Sequence, residues 1–291
     1  MTAASVPYEQ LGRPIAGPRA LPDDWRRFWH LTFNIARTNW KLRFFGSVLG
    51  YFWQLMRPML LFGVLYVFFT KIAHVSETGA AGGFYGAQLL GSIVLFTFFA
   101  EVTAGAVRSL LDNENIVRKI EFPRLVIPVS IALESLFNLA LNLVVVFVFA
   151  IAAGVRPMMT WLELPLIIGL LTLLAIGFAM LLSAAFVYFR DIAPIWEVFS
   201  QILFYASPVI IPLSAVKKHL SAALLHVYML NPIAVVLQQF RHAMINHAAL
   251  SSGQALGSQV RLLGPVAISV GVFVAGFVVF NRTAPRVAEN L

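Results

Sequence analysis

Arg57, Glu101 and Glu134 are charged side chains deep inside runs otherwise apolar enough to cross a membrane. Each is costly at the bilayer centre unless paired or hydrated. Counted at about 1.5 Å per helical residue, all three lie at a similar depth, roughly 14 Å from one end of their runs. That coincidence predicts a buried charge cluster in which Arg57 pairs with Glu101, Glu134 or both and fixes the packing of spans one to three. The other chemistry open to these residues is a proton relay or substrate contact, with a glutamate titrating during transport.

No catalytic constellation accompanies them. The chain has no G-x-x-x-x-G-K-[ST] phosphate loop, no H-E-x-x-H zinc pair and no G-x-S-x-G nucleophile elbow. Its six histidines are scattered, and the lack of cysteine excludes disulfides, thiolate metal sites and cysteine nucleophiles. Neither a metal nor a cofactor is expected on this chain. If ATP is used, another chain must hydrolyse it.

The elements that position these residues are membrane helices. Of 291 residues, 59% are hydrophobic and 12% charged, and the mean hydropathy is +0.82, too apolar for an ordinary soluble domain. The fold class is an all-α integral membrane protein. A bilayer core of about 30 Å needs about 20 apolar helical residues, and six runs qualify: Ser47–Thr70, Ala87–Leu110, Leu125–Ala152, Leu164–Tyr188, Pro194–Pro212 and Leu262–Phe280. The first twenty residues hold three prolines and two arginines but no apolar run, so span one is expected to serve as the insertion signal. About 15 of the 21 lysines and arginines fall toward the side of the N-terminal segment. By the positive-inside rule both termini of this multi-pass membrane protein are cytoplasmic. The net charge of +8 is spread over short loops rather than gathered into a stripe, so it reads as topology and not as a nucleic-acid surface.

Two amphipathic segments flank the spans. From Trp25 to Leu42, Trp25, Phe28, Trp29, Phe33, Ala36 and Trp40 fall on one side of a helix and Arg26, Arg27, Arg37 and Lys41 on the other, the pattern of a helix in the headgroup plane. Asp23 or Asp24 caps its start. Between spans five and six, Ile233, Val236, Leu237, Phe240 and Met244 recur at helical spacing with Gln238, Arg241 and His242 opposite, predicting an amphipathic helix in or near the outer interface. The resulting organisation is a tail over 1–22, an interfacial helix over 23–45 and a six-span domain over 46–291, with a loop at 111–124 and an outer region at 213–261.

That loop carries acidic residues early (Asp112, Glu114), Arg118 and Lys119 late, and a Phe122-Pro123 exit, the order a short capped helix requires. Asn115 through Pro123 resembles the N-x-x-x-K-x-x-F-P element of the membrane permeases of type-2 ABC exporters for lipid-linked polysaccharides, among them the O-antigen, teichoic acid and actinobacterial galactan exporters. Leu49-Gly50-x-x-Trp53 with Pro58, Tyr188-Phe189-Arg190-Asp191, Ser207-Pro208-Val209 and Asn231-Pro232 extend the likeness over nearly the whole chain.

The resemblance implies a homodimer working with two copies of a cytoplasmic ATPase, which would bind the ATP and Mg. The glycan path would run at the permease interface. Asn115, Arg118, Lys119, Phe122 and Pro123, with Arg190 and Asp191, would couple to the ATPase. Ser207, Pro208, Asn231 and Pro232 would form an outer gate. Phe98, Phe99, Phe204 and Tyr205 are the aromatic platforms available to a sugar face. Arg26, Arg27, Arg37 and Lys41 would meet the substrate's lipid head, or simply anchor to membrane lipids. The competing readings are a type-2 exporter of small hydrophobic molecules and a proton-coupled carrier using Glu101 or Glu134.

Overall fold

The computed structural model describes residues 24–44, 50–72, 84–113, 123–213, 216, 221–245 and 251–290, which form helices joined by turns, with no strand among them. In chain order the helices are α1 (Trp25–Phe44), α2 (Gly50–Val67, prolonged by a π turn, Phe68–Ile72), α3 (Tyr85–Val107), α4 (Ser109–Asp112), α5 (Val126–Ala152), α6 (Leu164–Tyr188, preceded by a 3-10 turn, Met159–Glu163), α7 (Ile192–Ala206), α8 (Ala222–Tyr228), α9 (Pro232–Phe240, continued by a π turn, Arg241–Ile245), α10 (Ser252–Ala255) and α11 (Leu263–Asn290, entered through a 3-10 turn, Gln259–Leu262). Among the described residues, five helices are long and apolar enough to cross a membrane: Phe52–Ile72, Tyr85–Val107, Val126–Ala152, Met159–Tyr188 and Val260–Thr283.

The fifth expected span, Pro194–Pro212, is shorter than its apolar run. α7 has 15 residues, about 22 Å of helix against a hydrocarbon core of about 30 Å. Pro208 ends it: the residue before a proline is pushed out of the helical region, and Ser207 is extended at φ −105°, ψ 155°. Span two also stops short of Leu110, because the chain turns at Arg108 and resumes as α4.

α3 is the central helix. Its few polar residues gather on no one side and it is buried along most of its length, the expected fate of a helix without a polar face. α2, α5, α6, α7 and α9 all pack on it. α6 and α11 form the closest pair. A Cβ at Gly276 would lie 2.3 Å from the Gly177 carbonyl oxygen, and one at Gly177 would lie 2.8 Å from Phe273 backbone, so the two backbones touch where only glycine fits.

α1 starts where Asp24 accepts the backbone N–H of Arg26 at 2.8 Å, fixing the expected cap on Asp24. It does not present its whole apolar side to lipid. Phe28, Thr32 and Ala36 are buried, and α1 lies along α5, where Phe33 and Trp40 each meet Phe137 edge-on. Trp25, Trp29 and Phe33 remain exposed.

Candidate functional site

Polar chemistry in the bundle gathers in two places. The first joins α1, α2, α3 and α5. Glu101 of α3 accepts a hydrogen bond from Gln54 Nε2 at 2.8 Å and another from Asn138 Nδ2 at 3.2 Å. Asn138 Oδ1 accepts in turn from Trp40 Nε1 at 2.9 Å. One turn earlier on α5, the buried Glu134 is paired with Arg43 of α1 at 3.2 Å.

Of the three charges expected together, Glu101 and Glu134 join this network, and Arg43 stands beside Glu134. Arg57 is exposed on the far side of α2 and, among the described residues, pairs with neither glutamate. Helical phase explains the change: Gln54, Pro58 and Phe62 form the buried stripe of α2, and Arg57 lies off it. Arg43, in the last turn of α1, takes its place. A charge near the end of an interfacial helix gives no sequence signal that it will turn inward.

The second gathering lies at the opposite end of the bundle, around the break after α7. Arg241, expected on the polar side of an amphipathic helix, is 2% exposed. Its Nη2 donates to the carbonyl oxygens of Pro208 and Val209, the latter at 2.9 Å, and its Nε donates to Ser92 Oγ at 3.1 Å. Burial pushes its pKa down to about 10, opposed by Tyr228 and Tyr85, so the guanidinium is charged at neutral pH. Gln238 is buried too, which corrects the expectation of a polar face on α9.

Further contacts hold the same break. Asn231 caps α9 through Ile233 N at 3.0 Å while its Nδ2 donates to Ser207 Oγ at 2.9 Å. Tyr85 donates to Ile210 O at 3.2 Å. α3 supplies the seat: a Cβ at Gly91 would lie 2.3 Å from the Phe240 ring, so glycine there admits Phe240, and Ser92 beside it meets Arg241. Proline frees carbonyls, and in an apolar surrounding these need a buried donor. Arg241 is that donor. Ser207, Pro208, Asn231 and Pro232, expected together from their motifs, are thus brought into one cluster, and Arg241 is the member the sequence reading missed.

At the end where α3 stops and α5 begins, Leu110, Leu125, Val126, Met180, Ala184 and Phe28 form one apolar cluster. The exposed Arg190 and Asp191 lie in the turn between α6 and α7. Asn115, Arg118, Lys119 and Phe122 lie outside the described residues. Pro123 is described, and Arg124 after it is 1% exposed with none of its three guanidinium nitrogens hydrogen-bonded among the described residues.

A sequence profile of the ABC-2 type transporter matches residues 30–245. The chain belongs to the ABC-2 type transporter family. An O-antigen export system permease protein RfbA from Klebsiella pneumoniae is 24% identical over 262 residues, covering 88% of this chain and 93% of that protein. One from Myxococcus xanthus is 23% identical over 261 residues, covering 90% and 95%.

Placed on this ABC-2 permease, the remaining expected residues divide. Arg26, Arg27, Arg37 and Lys41 are exposed along α1. Phe98 and Phe99 are core residues, 2% and 0% exposed, with Phe99 edge-on to Phe178; as packed here they offer no face to a sugar. Phe204 packs edge-on to Phe96. Tyr205, 76% exposed, is the aromatic of the four that is open to a ligand or partner.

Proposed function

We propose that the chain is the permease half of an ATP-driven exporter that moves a lipid-linked polysaccharide across the cytoplasmic membrane. It would work as a homodimer with two copies of a separate ATPase, with both termini cytoplasmic and α7 as the sixth crossing. What carries this reading is the likeness to two O-antigen export permeases along nearly their full length and nearly all of this chain.

The proposed division of labour follows the two ends of the bundle. The loop between α4 and α5, with the turn at Arg190 and Asp191, faces the ATPase, so a push there enters α5 and α6 at the end they share with α1. The break after α7 is the outer gate, and its carbonyls are held by a charge that is itself held by α3. Such a break suits a gate, since irregular backbone is tolerated within a membrane only where it is buried in protein or lines a wet cavity. Glu134 has a cationic partner in Arg43, which supports a structural role for it over proton coupling.

The test is reconstitution with the partner ATPase. Lys119→Ala with Phe122→Ala is expected to abolish permease-stimulated ATP hydrolysis and delivery of lipid-linked glycan to the far leaflet while the protein still inserts. Transport that persists without ATP and follows a proton gradient would overturn the proposal.

A further inference from the structure

Two exposed faces of the protomer each carry one charge of opposite sign. On α2 the outward stripe is Trp53, Arg57, Leu60 and Val64; on α7, Val198, Ile202 and Tyr205 are outward, with Glu197 on their flank. Neither Arg57 nor Glu197 makes a hydrogen bond or ion pair among the described residues. An isolated charge against lipid is unfavourable.

Their heights agree. α2 and α7 both pack on α3, which serves as a ruler. Gln54 bonds to Glu101, so Arg57, three residues further along the antiparallel α2, stands level with about Phe98. Trp196 packs against Phe99 with ring centroids 6.3 Å apart, and Glu197 is the next residue. The two charges therefore lie within about one helical turn of the same depth.

We infer that these faces form the contact between two copies of this chain, with Arg57 of each copy paired to Glu197 of the other. The inference rests on the homodimer reading above. Two copies inserted in the same direction are related by a twofold along the membrane normal, and such an axis preserves height. A residue can then meet only partner residues at its own depth, which Arg57 and Glu197 satisfy. A twofold contact is self-complementary, so it makes the pair twice and places both Arg57 charges against carboxylates rather than lipid.

The chain has no cysteine, so introduced thiols are unique. Arg57→Cys in one tagged copy, co-expressed with Glu197→Cys in a differently tagged copy, is expected to give a disulfide-linked dimer carrying both tags. Leu166→Cys, on an exposed face of α6, is expected to give none with either partner. Arg57→Glu alone or Glu197→Arg alone should weaken dimerisation about tenfold or more, and the double exchange should restore it. Native mass measured in lipid separates the two ideas. A persistent dimer with neither crosslink nor rescue overturns this contact and leaves the homodimer standing; a monomer at every concentration overturns both.

Discussion

Arg241 and Val209, 32 residues apart in the chain, are joined by a buried hydrogen bond of 2.9 Å from guanidinium to backbone carbonyl. The bond exists because Pro208 ended a helix inside an apolar bundle and left carbonyls that water does not reach. Arg241→Ala leaves these oxygens unsatisfied, and the expected loss is about 3 kcal/mol, read as a lower unfolding temperature of the purified protein. It should also raise labelling of a Ser207→Cys thiol by a membrane-impermeant maleimide, since Ser207 is 4% exposed when the break is held.

Asn231 does two tasks with one amide, capping α9 and holding Ser207. Asn231→Ala should cost about 1–2 kcal/mol. Asn231→Asp keeps the acceptor that caps the helix but not the donor to Ser207, and should fall between. The comparison of unfolding midpoints separates the cap from the cross-link.

Arg43 and Glu134 form a pair with one wet member, since the arginine side chain is 49% exposed. Solvent screening limits the pair itself to about 1 kcal/mol. Arg43→Ala should nevertheless harm assembly more than the double variant Arg43→Ala with Glu134→Gln, because the single change leaves a buried carboxylate without its cation. A double-mutant cycle on folded yield and unfolding temperature is the check, and a single variant no worse than the double would count against the pairing.

Gly276→Ala places a methyl 2.3 Å from the Gly177 carbonyl oxygen and must push α6 and α11 apart, whereas a Cβ at Gly271 meets nothing within 4 Å. The first change is expected to destabilise by about 1–3 kcal/mol or more, the second by no more than about 0.5 kcal/mol. Equal unfolding temperatures for the two variants would contradict the close helix contact.

Hydropathy and span length read the helices well. α6 runs Leu164–Tyr188 and α5 Val126–Ala152, within a residue of their apolar runs, because a long uninterrupted apolar stretch has few ways to fold in a membrane. α7 was overestimated because residues 207–212 are apolar enough to count toward a span even though Pro208 takes the backbone out of the helix. Depth along a run set Glu101 and Glu134 at one level, and both meet the network between α3 and α5. It chose the wrong cation, because depth carries no information on which side of a helix a residue faces or which neighbour lies there. Arg241 misled for a related reason: periodicity identified the face of α9 that sets Phe240 against Gly91 of α3, but Arg241, outside that pattern, is covered by Ser92 and the α7 break, a long-range arrangement no local pattern encodes. Gly177 and Gly276 stand on different spans, so no small-residue motif joins them.

The fastening at the α7-break end of the bundle is uneven. The π turn after α9 is stitched to the start of α6 by Thr160 on Ala243 O at 2.7 Å and Trp161 on Met244 O at 3.0 Å, with Gln239 on Glu163 at 2.8 Å beside them, and α11 touches α6 backbone to backbone at Gly177 and Gly276. These pieces make a door frame. The α7 exit is tied to that frame by three side chains, Arg241, Asn231 and Tyr85, through side-chain hydrogen bonds. Parting these contacts costs hydrogen bonds, which the hydroxyl groups of the proposed cargo would replace.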